Sequence, residues 1–315
     1  MISYDFTGKT VLITGASYGL GESFALAFAG AGAGLILTAR SSELLEEVAT
    51  RCREAGAAKV TVASGDVSVE ADVQRVVASG IANHDAIDVL VNNAGISDLR
   101  GLSSEQFDAE TFNRIISVDL VGAFLYAREC GKHMLARKSG SIINICSIMA
   151  SGGSDTNLAP YAAAKGGLLN LTKQLGTEWA DRGVRVNAVS PGFIVTEMTR
   201  APLEGMGMTK WIASRTPMRR VGEIAEVVAP VMFLASDAAS YITGLDLLVD
   251  GGTNAINGSN QIVPIHFEWN AATAPRTPGG YEGLVPRPEW IELMKDGIPG
   301  IHYQLPVAAT EANAS

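Results

Sequence analysis

Residues 10–28 read Thr-Val-Leu-Ile-Thr-Gly-Ala-Ser-Tyr-Gly-Leu-Gly-Glu-Ser-Phe-Ala-Leu-Ala-Phe. The first five lack the polar alternation of a strand with one wet face, so they predict a strand buried on both faces. Glycines follow at 15, 19 and 21, and then Phe24, Ala25, Leu26 and Phe28 predict an apolar helix. Gly15 can turn the chain sharply, Gly19 lets backbone amides approach a pyrophosphate, and Gly21 lets the helix sit close to the strand. The start of the helix adds unpaired N–H groups and partial positive charge. A glycine triplet alone would mark no more than a tight turn. The strand before it and the helix after it turn it into a phosphate-binding expectation.

The same alternation continues outward. Apolar runs at Leu35–Thr38, Val60–Ala63, Val89–Asn92, Ser141–Cys146, Val184–Ser190 and Leu245–Val249 predict further buried strands. Between them Ser42–Ala55, Glu70–Ala82, Phe107–Arg137, Tyr161–Asp181 and Glu223–Ser236 have helical spacing. Strand–helix alternation of this kind predicts an α/β, doubly wound, Rossmann-like parallel sheet of about seven strands with helices on both faces. That domain is expected over residues 1–254. Beyond Gly252 the composition changes: seven of the twelve prolines fall there, among Phe267, Trp269, Tyr281, Trp290 and Tyr303. So much apolar surface does not suit a solvated tail. Residues 255–315 are therefore expected to form an ordered proline-rich arm on a subunit interface, with one short helix between Pro288 and Gly297.

Composition excludes several function classes. Apolar residues make up 47% of the 315 and charged ones 18%, and the net charge is −9 with the basic residues scattered. Nucleic-acid binding needs a concentrated basic surface, so no such partner is expected. No apolar run approaches the roughly 18 residues that span a bilayer, and Met1–Lys9 lacks a signal-peptide pattern. A cytoplasmic protein is expected. Cys52, Cys130 and Cys146 read as free, buried thiols of a reducing compartment. His84, His133, His266 and His302 form no ligand set, and no metal is expected. His84 and His133 read as surface residues.

At the end of the second strand, Ala39 stands where an NAD-preferring site would place an acid for the ribose hydroxyls. Arg40 follows, and a guanidinium there suits a 2′-phosphate. NADP(H) is favoured, with NAD(H) as the alternative.

The remaining motifs arrive in a fixed order that resembles the short-chain dehydrogenase/reductase family, across about residues 5–254. Thr14–Gly21 has the TGxxxGxG spacing of the family's single-domain branch, which implies cofactor contacts from Thr14, Gly15, Ser17, Tyr18, Gly19, Leu20 and Gly21. Asp66-Val67 looks like its adenine-ring contact. Asn92-Asn93-Ala94-Gly95 matches a motif that braces the sheet and the nicotinamide side. Ser147 follows the fifth strand, Tyr161 and Lys165 form a YxxxK motif, and Pro191-Gly192 with Ile194 and Thr196 matches the segment around the nicotinamide amide. Asp250-Gly251-Gly252 resembles the closing strand. The resemblance implies a catalytic Ser147, Tyr161 and Lys165, and a homodimer or homotetramer built partly through the helices in Phe107–Arg137 and Tyr161–Asp181.

The residue chemistry agrees. Tyr161 and Lys165 lie four apart on one helix face. A tyrosine with a reference pKa of about 10 needs roughly 4 kcal/mol of help to act as a base near neutrality. Lys165 and an oxidised nicotinamide supply positive charge for that purpose. Ser147 would hold the substrate oxygen facing Tyr161.

One position departs from the pattern. Asp119 stands where the family has a fourth catalytic residue, an asparagine thought to shape its helix so that a main-chain carbonyl holds a water beside the lysine. The expectation is that the backbone does this work and aspartate substitutes. In the competing reading the carboxylate alters the proton relay. Arg200–Met208, with nearby Trp211, reads either as a lid or as plain helix packing. The expected function is NAD(P)-dependent interconversion of a secondary alcohol and a ketone. The alternatives are an isomerase or epimerase using the same hydride chemistry, or a non-catalytic NADP(H)-binding regulator.

Overall fold

A computed structural model describes residues 4–98, 102–153, 157–196 and 208–255. The expected arm, the tail helix and the Arg200–Gly207 part of the expected lid lie outside the described residues.

All seven expected strands form: β1 (Thr10–Thr14), β2 (Gly34–Thr38), β3 (Lys59–Val62), β4 (Val89–Asn92), β5 (Gly140–Ile145), β6 (Val184–Pro191) and β7 (Asp246–Val249). They make one parallel sheet of order β3-β2-β1-β4-β5-β6-β7. Strand order reverses between β1 and β4, and ligands bind beyond the carboxyl ends of the strands at such a switch point. The helices are α1 (Gly19–Gly30), α2 (Ser42–Ala55), α3 (Glu70–His84), α4 (Ala109–Ile116), α5 (Ala123–Arg137), α6 (Ala159–Glu178), α7 (Met208–Arg215) and α8 (Ile224–Ala235).

The strand pleat explains the two layers. Val11, Ile13, Leu35, Leu37, Val91 and Ile143 point to one face, where Phe24 and Phe28 of α1, Leu45 and Val48 of α2, and Val227 and Val231 of α8 cover them. Their neighbours Leu12, Ile36, Leu90 and Ile142 point the other way, onto Val73 and Val76 of α3 and Leu125, Tyr126, Cys130 and Met134 of α5. Alternation along a strand sends each successive side chain to the opposite face, so both faces demand apolar residues and the runs read as continuous. No described helix is long and apolar enough to cross a membrane. All three cysteines are free and buried, as expected.

Two expectations need correction. Phe107–Arg137 is not one regular helix. Asp108 caps α4 by accepting from the Thr111 amide at 2.6 Å, which starts the helix at Ala109. A π-helical segment, Ser117–Gly122, then separates α4 from α5. His84 is not a surface residue. It is half-buried, with Nε2 2.9 Å from the Thr61 hydroxyl and its ring against Gly34.

The core also holds a polar chain. Asn92 Nδ2 donates to Asn144 Oδ1 at 2.9 Å and to the Ala123 carbonyl at 3.1 Å. Asn144 Nδ2 donates to the Thr172 hydroxyl at 2.8 Å, which itself donates to the Leu168 carbonyl at 2.8 Å. Asn92, Asn144 and Thr172 are at most 3% exposed, so the chain fixes β4, β5, α5 and α6 against one another where water cannot replace a lost partner. Asn144→Ala is expected to cost about 3 kcal/mol through unpaired groups and a cavity. That corresponds to a melting temperature lower by roughly 6–12 °C for a domain of this size. A thermal scan showing a change of a degree or less would contradict this account.

Candidate active site

The glycine-rich turn leaves β1 and enters α1. Gly15 and Gly19 have φ of 63° and 64°, left-handed values that favour glycine. At Gly21 a Cβ would lie 2.1 Å from the Gly15 carbonyl oxygen and 2.6 Å from Asn93 Nδ2, so only glycine lets α1 enter so close to the strand. At Gly19, by contrast, a Cβ would meet nothing within 4 Å. Tyr18 precedes the helix with an extended backbone and no side-chain cap. The first-turn amides of α1 therefore have neither intrahelical nor side-chain acceptors among the described residues. A phosphate fits that donor set.

Thr14 and Asn93 hold the turn in place. Thr14 Oγ1 accepts from the amides of Asn93 and Ala94, both at 3.0 Å. Asn93 Nδ2 donates back to the carbonyls of Thr14 at 2.9 Å and Gly15 at 3.1 Å. The side chains of the two strand ends at the switch point thus satisfy each other's backbone.

Ser147, Tyr161, Lys165 and Asp119 come together although three separate parts of the chain supply them. Ser147 ends the segment after β5, and its hydroxyl accepts from the Met149 amide at 3.2 Å. Tyr161 and Lys165 share a face of α6, with Lys165 Nζ 5.5 Å from the Tyr161 ring centroid. Lys165 Nζ donates to the Ile145 carbonyl at 3.0 Å and lies 3.3 Å from Asp119 Oδ2. Asp119 Oδ1 accepts from the Ile96 amide at 2.7 Å, and the residue is fully buried in the π-helical segment. A Cβ on Gly95 would sit 3.0 Å from Asp119 Oδ2 and 3.3 Å from Lys165 Nζ, so the pair packs against that glycine.

Burial sets the electrostatics. It pushes the Tyr161 phenol above its ordinary pKa, a rise that the Lys165 ammonium opposes, the Asp119 carboxylate reinforces and the Ser147 hydrogen bond opposes. Burial alone would push Lys165 down, but the Asp119 carboxylate and Tyr161 outweigh it, and Lys165 is held above the usual lysine value. Asp119 itself is raised by burial, against the pull of Lys165 and the Ile96 amide.

The other expected contacts line the same edge of the sheet. Ser17 and Leu20 are half-buried, Tyr18 is exposed, and Arg40 is exposed with no ion pair among the described residues. Asp66 Oδ1 accepts from the Ser68 amide and hydroxyl, and Val67 packs against Gly122. Pro191 ends β6, the Gly192 amide donates to the Val249 carbonyl at 2.9 Å, and buried Ile194 bridges Gly222 ahead of half-buried Thr196. Trp211 of α7 packs under the Arg215 guanidinium at 4.1 Å. The sequence reading missed Asn254, whose amide donates to Ser151 Oγ at 2.8 Å and ties the residues after β7 to the segment that follows Ser147. One asparagine beyond a glycine pair carries no motif that would have singled it out.

Comparison with known proteins gives consistent matches. A family model described as Enoyl-(Acyl carrier protein) reductase matches residues 15–254. The chain is 35% identical over 249 residues to Gluconate 5-dehydrogenase of Gluconobacter oxydans, covering 79% of this chain and 96% of that one. It is 38% identical over 246 residues to Galactitol 2-dehydrogenase (L-tagatose-forming) of Cereibacter sphaeroides, covering 78% and 94%. Among solved structures, a gluconate 5-dehydrogenase from Burkholderia cenocepacia in complex with NADP and tartrate superposes with a TM-score of 0.75 at 36% identity, covering 80% of this chain and 97% of that one.

The two glycines of the turn should separate stability from cofactor binding. Gly21→Ala forces a backbone clash and should cost about 3 kcal/mol. Gly19→Ala adds only a left-handed strain of about 1–2 kcal/mol, but it places a methyl group where the phosphate would approach. Melting curves and NADP titrations should show Gly21→Ala as the less stable variant and Gly19→Ala as folded but weak in binding. Equal melting temperatures would contradict the packing argument.

Proposed function

The chain belongs to the short-chain dehydrogenase/reductase family and is an NAD(P)-dependent dehydrogenase acting on CH–OH groups, and from that premise we propose that it interconverts a secondary hydroxyl and a ketone on a polyhydroxylated carbon chain, such as a sugar acid or polyol. NADP(H) is the proposed cofactor and Tyr161 the proposed acid and base. The observation that carries this reading is the convergence of the Ser147 hydroxyl, the Tyr161 phenol and the Lys165 ammonium beside an anion-binding turn. The dehydrogenases of a sugar acid and a polyol among its relatives support the substrate class, and they favour a dehydrogenase over the isomerase and regulator readings.

The residues fit the cofactor. The amides of Gly19–Gly21 would take the pyrophosphate, Arg40 the 2′-phosphate, Asp66 and Val67 the adenine, and Asn93–Gly95 with Pro191–Thr196 the nicotinamide side. When bound, the nicotinamide supplies or accepts the hydride. The chain's own residues handle the oxygen and its proton. Ser147 donates a hydrogen bond to the substrate oxygen and fixes it beside Tyr161. In reduction the Tyr161 phenol gives its proton to that oxygen, and in oxidation the phenolate takes one. Lys165 favours the phenolate by its charge.

The raised phenol gives the direction of the pH dependence. Tyr161 is protonated at neutral pH, which suits reduction. Oxidation needs the phenolate, so its rate should climb as pH rises into the alkaline range.

Tyr161→Phe should lower turnover by about 10²–10⁴-fold, the usual contribution of general acid–base catalysis, while NADP still binds. Near-normal turnover would overturn the mechanism. Arg40→Asp should penalise NADPH far more than NADH, and equal effects on both would mean that Arg40 does not read the 2′-phosphate. Substrate class is tested by following NADPH absorbance with 5-ketogluconate, tagatose, simple ketones and an enoyl thioester. Turnover of polyhydroxylated ketones is expected. Turnover of the enoyl thioester alone would move the reaction to a carbon–carbon double bond.

A further inference from the structure

Asp119 was expected to act through its backbone, yet its side chain is what meets the active-site lysine. The carboxylate is fully buried, receives the Ile96 amide on Oδ1 at 2.7 Å, and presents Oδ2 to Lys165 Nζ at 3.3 Å. Among the described residues that second oxygen has no hydrogen-bond partner, and the Lys165 ammonium is its ion-pair partner. The ammonium is therefore shared between an anion on the π-helical segment, the Ile145 carbonyl on β5 and the phenol on its own helix.

We propose that Asp119 is the built-in counter-ion of Lys165, a positioning residue that absorbs part of the lysine's charge and so sets the pH at which Tyr161 can take up a proton from substrate. This rests on Tyr161 as the proton carrier. An asparagine in the same place would keep the Ile96 hydrogen bond through its carbonyl oxygen but carry no charge. The ammonium would then have one anion left to favour, the Tyr161 phenolate.

Among the described residues the other titratable group facing this pair is the Cys146 thiol just after β5, pushed up to about 12 chiefly by burial, so it stays neutral over the working range. Tyr161 and Lys165 thus respond to each other and to Asp119. Burial raises the Asp119 carboxyl above its ordinary value, and the ammonium and the Ile96 amide oppose that rise by favouring the anion. A Cβ at Gly95 would crowd the pair, at 3.0 Å from Asp119 Oδ2 and 3.3 Å from Lys165 Nζ.

Asp119→Asn should move the alkaline rise of the oxidation rate to lower pH by about one to two units, the size expected for one charge removed about 6–12 Å away at an effective dielectric near 20. The same shift should appear without turnover, as the tyrosinate absorbance titration that is present in the Tyr161-containing protein and absent after Tyr161→Phe. NADP affinity and the circular dichroism spectrum should stay the same. If Asp119→Asn folds poorly, Asp119→Ser, a smaller uncharged acceptor for the Ile96 amide, should show the same direction of shift. Profiles superimposable on the wild type by both readouts would overturn the counter-ion role and leave Asp119 as a shape residue. Near-normal turnover in Tyr161→Phe would instead remove Tyr161 itself, so failure of the mechanism and failure of this proposal are told apart.

Discussion

The Thr14–Asn93 clasp is the contact on which the rest of the site depends. It sits at the one place in the sheet where strand order reverses, so β1 and β4 lead their chains in different directions over a shared crevice. Four hydrogen bonds between two residues and their neighbours keep that crevice at a fixed width. The glycine-rich turn hangs from one side of the clasp and Asn93–Gly95 from the other. The buried Asn92–Asn144–Thr172 chain then carries the constraint sideways to β5 and α6, where Ser147, Tyr161 and Lys165 stand. Preorganisation of this kind lets small side-chain groups act with little reorganisation.

Much of the fold was legible because both layers of helices bury the sheet. Strands such as Val89–Asn92 had to be apolar without alternation, and turn glycines such as Gly15 had to meet steric demands that no other residue satisfies. The shared face of Tyr161 and Lys165 was readable from spacing, since four residues on a helix place two side chains on one face, whereas Ser147 was singled out by the family resemblance. What sequence did not reveal was set by long-range packing. The break at Ser117–Gly122 has no proline or glycine pair to announce it, because a π-helical segment arises from one extra residue per turn rather than from a breaker. His84 lies half-buried because the Thr61 hydroxyl and Gly34 offer it a place, and neither is near it in the chain.

The π-helical segment also shows why the contact between Asp119 and Lys165 is hard to read from sequence. Read along the helix, Asp119 is one acid among apolar neighbours, and a tolerated substitution is the economical explanation. Only in three dimensions does the widened turn carry the carboxylate inward to the lysine. Charges that matter to a buried site are placed by helix geometry as much as by residue type.

Gly95 places a constraint on inheritance. A side chain there would press on both Asp119 Oδ2 and Lys165 Nζ, so the bare backbone at position 95 belongs with the charged pair. An engineer who grafts this proton-handling arrangement onto a related scaffold would therefore have to transfer the glycine along with the charges, because residues that perform no chemistry can still decide whether the chemistry is transferable.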